Sequence, residues 1–469
     1  MKEKIVLLNP PAPTLNMRDM YSSTVSKGLY CWPQVDLLVL SGILSKEFDI
    51  SIIDANALRL TNDQTMEIIK KAAPYALIFM AGSSSKCNDL GFAYKVKNSF
   101  RDMLIIGEGG FLRNNPVQEM QDNVFLDAVL LNFTSDDILG FLKNDTSELN
   151  NLAVRKNDVV ICGKTKYSTG YFSYPVPRHE QLDFSKYRLS HGRRIPLTSV
   201  ISSYGCVGKC AFCVSSNIPY IMRDVDNITD ELRYVEKLGI REVFFRDVSF
   251  GSVKKHALAL CQNIIENKIK LGWVCDMRAD SIDEERMVSM KRAGCHAIHI
   301  GVESANQMIL DRYSKNMKIE TIEQAFRLAH KHGIKTIGYF IIGIPGESEE
   351  DIINTIDFAI KLRCDYASFN FAIPIVGTEL RKECLENDWL NSDDGSFDGS
   401  FSPVIETGSI PYQRLRELRD IAFRRFYLRP EYIFDRITKL KTVFEAKMLV
   451  LEFLNMSKTA VLNIFKRNR

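Results

Sequence analysis

Twice along this chain, short apolar runs rich in β-branched residues alternate with segments of helical periodicity. That rhythm restricts the fold more than any other feature. In the first series the predicted strands are 5–8, 50–53, 76–80, 104–106 and 128–131. The predicted helices between them are 33–44, 63–73, 89–98 and 134–142. Pro33 suits a first helical position, and Leu37, Leu38, Leu40, Ile43 and Leu44 give the segment one apolar face. Strands joined through helices run parallel and are covered on both faces. Their carboxyl ends carry 9–13, 82–86 and 107–110, where such sheets bind ligands.

From about residue 150 to 195 the rhythm breaks. Tyr174-Pro-Val-Pro177 reads as an extended connector, because each proline disfavours helix in the residue before it. A second series follows, with strands predicted at 198–202, 242–245, 271–275, 297–300, 336–341 and 367–371. Helices are predicted at 229–238, 253–266, 284–292, 319–332 and 349–362. Six strand–helix units are too few to close an eight-stranded barrel, so an open, partial barrel is expected, with its active groups at the strands' carboxyl ends. Residues 391–400 read as a flexible loop. The expected organisation is a sheet domain over 1–150, a connector over 151–195, a partial barrel over 196–385 and a helical region over 386–469.

The 469 residues are 45% hydrophobic and 25% charged with a net charge of +3, an ordinary globular balance that gives no argument for nucleic-acid binding. The N-terminus has only four consecutive apolar residues before Asn9, too few for a signal peptide. No segment approaches the length of a membrane span. A cytoplasmic location is expected. The tail, 401–469, holds 14 Lys/Arg against 7 Asp/Glu. Its surface is either a solvated helical face or a contact for a substrate phosphate or a membrane.

Eleven cysteines, an odd number with three close together, favour metal binding over a disulfide framework. Tyr204-Gly-Cys-Val-Gly-Lys-Cys-Ala-Phe-Cys213 sets Cys206, Cys210 and Cys213 at C-x3-C-x2-C directly after the first strand of the second series. Thiolates suit iron–sulfur clusters or zinc. Three of them hold three irons of a cubane and leave the fourth iron open. A closed zinc site would need a fourth ligand at short spacing, and His179 and His191 are not so placed. A zinc site completed from elsewhere, or three buried thiols, are the bland alternatives.

This motif, with Phe212 before its last cysteine at the first strand of a six-unit barrel, closely resembles the radical S-adenosylmethionine (SAM) superfamily over roughly 195–385. The resemblance implies that a 4Fe–4S cluster on Cys206, Cys210 and Cys213 binds SAM through its open iron. An electron from the cluster then cleaves SAM to methionine and a 5′-deoxyadenosyl radical. It also implies SAM contacts at the strand ends: Asp247 toward the ammonium, Arg278 toward the carboxylate through its planar fork, and Glu303 as an acceptor. Gly343 and Gly346 would allow close approach to adenine. Taken singly, Asp247, Arg278 and Glu303 read equally well as ordinary loop-end ion pairs.

Asn9-Pro-Pro, Trp32-Pro33 before a helix and Asp54 ending a strand, all ahead of such a barrel, resemble the cobalamin-binding-domain class of that superfamily. Pro177-Arg-His-Glu180 and Tyr187-Arg188 add to the likeness. The resemblance then spans about 85% of the chain. It implies a flavodoxin-like (Rossmann-type) N-terminal sheet, a partial (β/α)6 barrel and a helical tail, an α/β protein. The cobalamin contacts it implies are Asn9, Pro10, Trp32, Ser83, Ser84, Gly107, Gly109 and Gly110, with Trp32 either on a corrin face or in the core. The sequence departs from the class in one respect: no histidine precedes His179, so cobalt would have no histidine ligand from this domain.

The function implied is cobalamin-dependent methyl transfer to an unactivated carbon or phosphorus, with flavodoxin or ferredoxin as electron donor. Radical SAM cyclisation, epimerisation or C–C bond formation without methylcobalamin is the alternative. A methylthiolating enzyme would need an N-terminal cysteine trio, and only Cys31 and Cys87 precede residue 162. A non-catalytic iron–sulfur or zinc scaffold is the reading from another class. No motif discriminates a peptide, lipid, tetrapyrrole or other small-molecule substrate.

Overall fold

The computed structural model describes residues 2–438, apart from 20–22, 27, 29, 146–147, 190, 391–396 and 401, together with Ala446. Nine strands precede the connector: β1 (Lys4–Asn9), β2 (Asn16–Arg18), β3 (Ser23–Val25), β4 (Asp49–Asp54), β5 (Ala76–Met80), β6 (Leu104–Glu108), β7 (Ala128–Leu130), β8 (Leu152–Lys156) and β9 (Val159–Cys162). The first sheet has the order β4-β1-β5-β6-β7-β8-β9. Its first five strands are parallel, and their order is the flavodoxin-like one, with a topological switch beside β1. Val6, Leu7, Ile78 and Phe79 are wholly buried, so the sheet is covered on both faces as its unbroken apolar runs require.

Two features were not foreseen. Residues 152–162, expected in the connector, extend the sheet as the antiparallel strands β8 and β9. Their turn uses Asn157 and Asp158, both at positive φ (49° and 62°), as a tight two-residue hairpin demands. The second is the β2–β3 hairpin, which lies across the mouth of the sheet. Fully buried Arg18 reaches from it to Asp89 at 2.7 and 2.8 Å, to Ser85, to Asn9 and to the Pro10 carbonyl. The expected helix over 134–142 shortens to Ile138–Leu142.

The remaining strands are β10 (Tyr171–Phe172), β11 (Leu197–Val200), β12 (Ser203–Tyr204), β13 (Ile221–Arg223), β14 (Glu242–Phe245), β15 (Gly272–Met277), β16 (Cys295–Glu303), β17 (Lys335–Ile342) and β18 (Tyr366–Phe371). β11, β14, β15, β16, β17 and β18 form one sheet in that order, all parallel, with helices between them. This is the six-stranded partial barrel. Trp273, Phe245, Phe340 and Phe326 fill the layer beneath its helices. Cys275 and Cys295 lie in that layer too, as buried neighbours. On the inner face, Leu197, Phe244, Val274, Ala297 and Ile337 pack on Met17, Cys31 and Trp32 of the N-terminal region and on Tyr187 and Leu189 of the connector.

The helix Tyr412–Tyr427 closes the open side. Its Phe426 is fully buried near Phe369, and the Tyr427 hydroxyl exchanges hydrogen bonds with both backbone groups of Ala367. The aromatic tail therefore packs the barrel edge at this point. Residues 439–445 and 447–469 of the basic tail fall outside the described residues, and among those described no helix is long and apolar enough to cross a membrane.

Candidate active site

The cysteine loop leaves β12, which pairs with β13. Gly205 follows at φ +78°, where a Cβ would sit 2.1 Å from the Pro219 carbonyl oxygen, so only glycine turns the chain here. Asp247, at the end of β14, is wholly buried. It accepts hydrogen bonds from the Ser202 N–H (2.7 Å), the Ser202 hydroxyl and the Ser203 hydroxyl (2.6 Å). Expected to meet an ammonium group, Asp247 is instead committed to the backbone that carries the cysteines. The reason is local: two serine hydroxyls and an amide saturate a carboxylate that solvent cannot reach.

Cys206, Cys210 and Cys213 are all free, with Cys210 buried and the other two half-buried. Burial pushes the Cys213 thiol up to about 11 and the Cys210 thiol upward as well, so iron must displace protons on binding. The Gly208 N–H donates to the Cys206 sulfur at 3.3 Å. Arg278 lies against this turn, where a Cβ on Gly208 would stand 2.5 Å from its Nη1. Asp280 holds the guanidinium at 2.7 and 3.0 Å.

Glu303 ends β16 at φ +69°, rare for a non-glycine residue, where the pairing with β17 shifts register. Its Oε1 accepts from the Lys315 ammonium at 2.6 Å, and both residues are buried. Lys315 had no part in the sequence motifs. Next to this pair, buried Glu347 ties down the 343–347 turn by accepting from the Gly343 and Ile344 N–H groups and the Ser304 hydroxyl. Burial raises Glu347 to about 8. Gly343 and Gly346 both have positive φ (79° and 96°), as a tight turn there needs. The structure thus gathers Arg278, Glu303 and the cysteine loop at one end of the barrel.

The residues expected to hold cobalamin divide into two groups. Asn9 and Pro10 accept from Arg18, and Ser84 donates its N–H to the Ser23 hydroxyl and shares a hydroxyl–hydroxyl hydrogen bond with it. The hairpin therefore covers these positions and Ser83 between them. Trp32 packs inside the barrel, edge-on to Phe244 at 5.3 Å, with its indole N–H on Asp19. It is buried with Met17, Phe244 and Tyr187, joining the two halves. Gly109 (φ +143°) is required by a close approach, its Cβ position lying 2.0 Å from the Ala81 carbonyl oxygen. Gly107 and Gly110 flank it, the latter starting the helix Gly110–Asn114.

Beside β6 the mouth keeps unsatisfied polar atoms. Gln34 Oε1 and Asn114 Nδ2 are buried and find no hydrogen-bond partner among the described residues. Glu108 meets Asp36, and two buried carboxyls in contact hold a proton between them. Burial raises Glu108 to about 7. A carboxyl raised in the folded state binds a proton that the unfolded chain has lost. Its stabilising contribution is present below about pH 4.5 and disappears as pH rises through 7. Chemical denaturation from pH 5 to 8 should show stability falling on the order of 1 kcal/mol per pH unit in that window. Glu108→Gln should make the fall shallower below pH 7 and leave the part due to Glu347, and an unchanged slope would place the titration elsewhere.

A family model described as the radical SAM superfamily matches residues 200–359, the span that carries the cysteine loop, Arg278, Glu303 and the 343–347 turn. Residues 200–359 thus carry a radical SAM domain by sequence. An uncharacterised methyltransferase of Pyrococcus horikoshii is 27% identical over 458 residues, covering 94% of this chain and 95% of that one. Cytidylyl-2-hydroxyethylphosphonate methyltransferase of Streptomyces wedmorensis is 23% identical over 84% of each chain. Among solved structures, the radical SAM methyltransferase TsrM of Kitasatospora setae, with cobalamin and a 4Fe–4S cluster bound, superposes at a TM-score of 0.69 and 15% identity. That match covers 98% of this chain and 100% of TsrM. The cobalamin-dependent radical SAM enzyme OxsB superposes at 0.70 and 15% identity, over 99% of this chain and 75% of OxsB. The radical SAM chain described here therefore has the fold of the class with a cobalamin-binding domain, along nearly its whole length.

Proposed function

We propose that this radical SAM protein is a cobalamin-dependent methyltransferase that uses a 4Fe–4S cluster on Cys206, Cys210 and Cys213. The observation that carries the reading is the three-thiol loop at the mouth of a six-stranded barrel, with Arg278 and Glu303 beside it. Among the described residues, no group of three or more His, Cys, Asp and Glu side chains is drawn closely enough together to hold a single metal ion. Three thiols spread around a loop suit the corners of a cubane, each on a different iron. The buried, unpartnered Gln34 and Asn114 amide atoms suit a ligand rimmed with amides, as a corrinoid is.

When bound, these groups supply an electron, SAM cleavage and a methyl carrier. The chain's own residues do the rest. Arg278, held by Asp280 through Nε and Nη2, keeps Nη1 beside the cysteine loop for a carboxylate, and Glu303 offers its second oxygen to a donor group. The turn held by Glu347 carries two glycines at positive φ, so a flat base can approach its backbone closely. Whole-length similarity to methyltransferases, one acting on a phosphonate, supports methyl transfer as the outcome. A one-electron carrier such as flavodoxin or ferredoxin would supply the reductant. Radical chemistry without methylcobalamin is the second reading. It is favoured by the Arg18–Asp89 ion pair, which fills the switch-point crevice where flavodoxin-like sheets bind cofactors.

The test uses protein purified anaerobically, reconstituted with iron, sulfide and hydroxocobalamin, and supplied with methyl-labelled SAM and titanium(III) citrate. Methyl transfer predicts both S-adenosylhomocysteine and 5′-deoxyadenosine, with label recovered on the corrinoid. If 5′-deoxyadenosine forms alone, the second reading replaces the first.

A further inference from the structure

The helix Pro430–Thr438 is turned inside out. It rests on the barrel through polar and charged side chains. The Tyr432 hydroxyl donates to the Asp365 carbonyl at 2.9 Å, Arg436 lies over the Tyr366 ring at 4.2 Å, and Arg429, just ahead of the helix, stacks on Phe426 at 4.8 Å. The apolar side chains face the other way. Ile433, Phe434 and Ile437 are 42%, 71% and 57% exposed, and Leu428 before the helix is 50% exposed. A solvated surface helix has the reverse arrangement, its apolar stripe on the protein and its charges in water. Scattered exposed apolar residues need no explanation, but three neighbours on one helix face do.

The sequence that follows says what such a face would meet. Residues 439–469 carry 7 Lys/Arg against 2 Asp/Glu, and 16 of the 31 are hydrophobic. An exposed apolar face continued by a basic, apolar-rich sequence matches an anionic lipid surface in both respects. Apolar area is taken up at the boundary of headgroups and acyl chains, and Lys/Arg are drawn to the headgroup charge. A second copy of this chain matches it less well, because it would set the same excess of positive charge against itself. The position is compatible with catalysis. Asp365 and Tyr366 stand at the amino end of β18, whereas the cysteine loop, Arg278 and Glu303 lie at the barrel's other end. A contact here leaves the mouth open.

We propose that the outward face of the helix Pro430–Thr438, made by Ile433, Phe434 and Ile437, docks on an anionic lipid bilayer. These side chains enter the boundary between headgroups and acyl chains, and the lysines and arginines of 439–469 meet the headgroup charge. Tyr432 and Arg436 hold the helix to the barrel, so the contact carries the whole chain to the membrane surface. The inference stands apart from the methyl-transfer reading and needs neither the cluster nor cobalamin.

The full chain is mixed with vesicles of phosphatidylcholine alone, or with one-third phosphatidylserine, and binding is read by flotation. Affinity for the anionic vesicles is expected to exceed that for the neutral ones at least about tenfold. It should weaken as salt rises from about 0.1 M to about 1 M, where charges are screened within about 3 Å. Phe434→Asp/Ile437→Asp should lose at least about tenfold in affinity with an unchanged circular dichroism spectrum. Val124→Asp charges an equally exposed apolar residue (72%) of the N-terminal sheet domain and should float like the wild type. Should the aspartates disturb the fold, Phe434→Ser/Ile437→Ser removes the same apolar area without adding charge and should also lose about tenfold. No flotation on anionic vesicles, equal flotation on both kinds, or wild-type flotation of either double variant would overturn the proposal. So would a lipid-free dimer, seen by sedimentation, that the double variants dissociate, since the face would then belong to a second copy.

Discussion

Cys210→Ala should retain the fold and lose the chemistry. Cysteine to alanine removes only a small buried side chain at position 210, so far-ultraviolet circular dichroism and the thermal midpoint of the iron-free protein should barely move. Iron retention and 5′-deoxyadenosine formation should both collapse, the latter by at least about 10³-fold, equivalent to about 4 kcal/mol in the barrier. Cys206→Ala and Cys213→Ala should behave alike, because each removes one of the three proposed cluster ligands. Substituting Cys261, Cys364 or Cys384, all buried in apolar layers, should leave the iron in place. Cleavage of SAM at wild-type rates by any of the three loop variants would remove the cluster from the account.

The second large effect falls on stability. Arg223, Glu231 and His179 form a fully buried network. Arg223 Nη1 pairs with Glu231 Oε2, and His179 joins Glu231 Oε1 (2.8 Å) to the Thr198 hydroxyl (2.9 Å). Arg223 also stacks on Tyr174, 3.8 Å from the ring centroid, and its N–H bonds to the Ser202 carbonyl. Arg223→Ala leaves the Glu231 carboxylate buried without its cation, which should cost about 3–5 kcal/mol. Urea denaturation measures this directly, and a loss below about 1 kcal/mol, typical of an exposed pair, would contradict the assigned burial. The internal control is Arg233→Ala, two residues beyond Glu231 on the same helix, whose pair with Asp230 is solvent-exposed and should be nearly silent. Because Arg223 sits on β13, beside the strand that feeds the cysteine loop, its loss should also loosen cluster retention.

The network gives a physical reason for part of the sequence likeness. His179, within Pro177-Arg-His-Glu180, anchors the connector to the first barrel strand and helix. Tyr187 donates to Asp54 at 2.8 Å, tying the same connector to the N-terminal sheet. Strands buried on both faces were legible because an unbroken apolar run between helical segments has few other solutions, as Ala76–Met80 and Glu242–Phe245 show. The cysteine trio was legible because metal ligation fixes both residue type and spacing. What escaped notice lacks a period. The strands Asn16–Arg18 and Ser23–Val25 are short and polar, and Arg18 reads as a surface arginine until Asp89, seventy-one residues away, is brought to it. Lys315 was equally invisible, since its place depends on two left-handed neighbours and a strand bulge. Asn157-Asp158 was a usable turn signal for β8 and β9. Asp247 shows the limit of strand-end reasoning, because Ser202 and Ser203 determined its partners.

The central claim is that three thiolates leave one iron open to grip SAM. Electron paramagnetic resonance of the dithionite-reduced, anaerobically reconstituted protein, recorded with and without SAM, tests it most directly. The account predicts the signal of a reduced 4Fe–4S cluster, at about four irons per chain, whose shape changes when SAM is added. A spectrum indifferent to SAM, or a protein that retains zinc in place of iron, would contradict it.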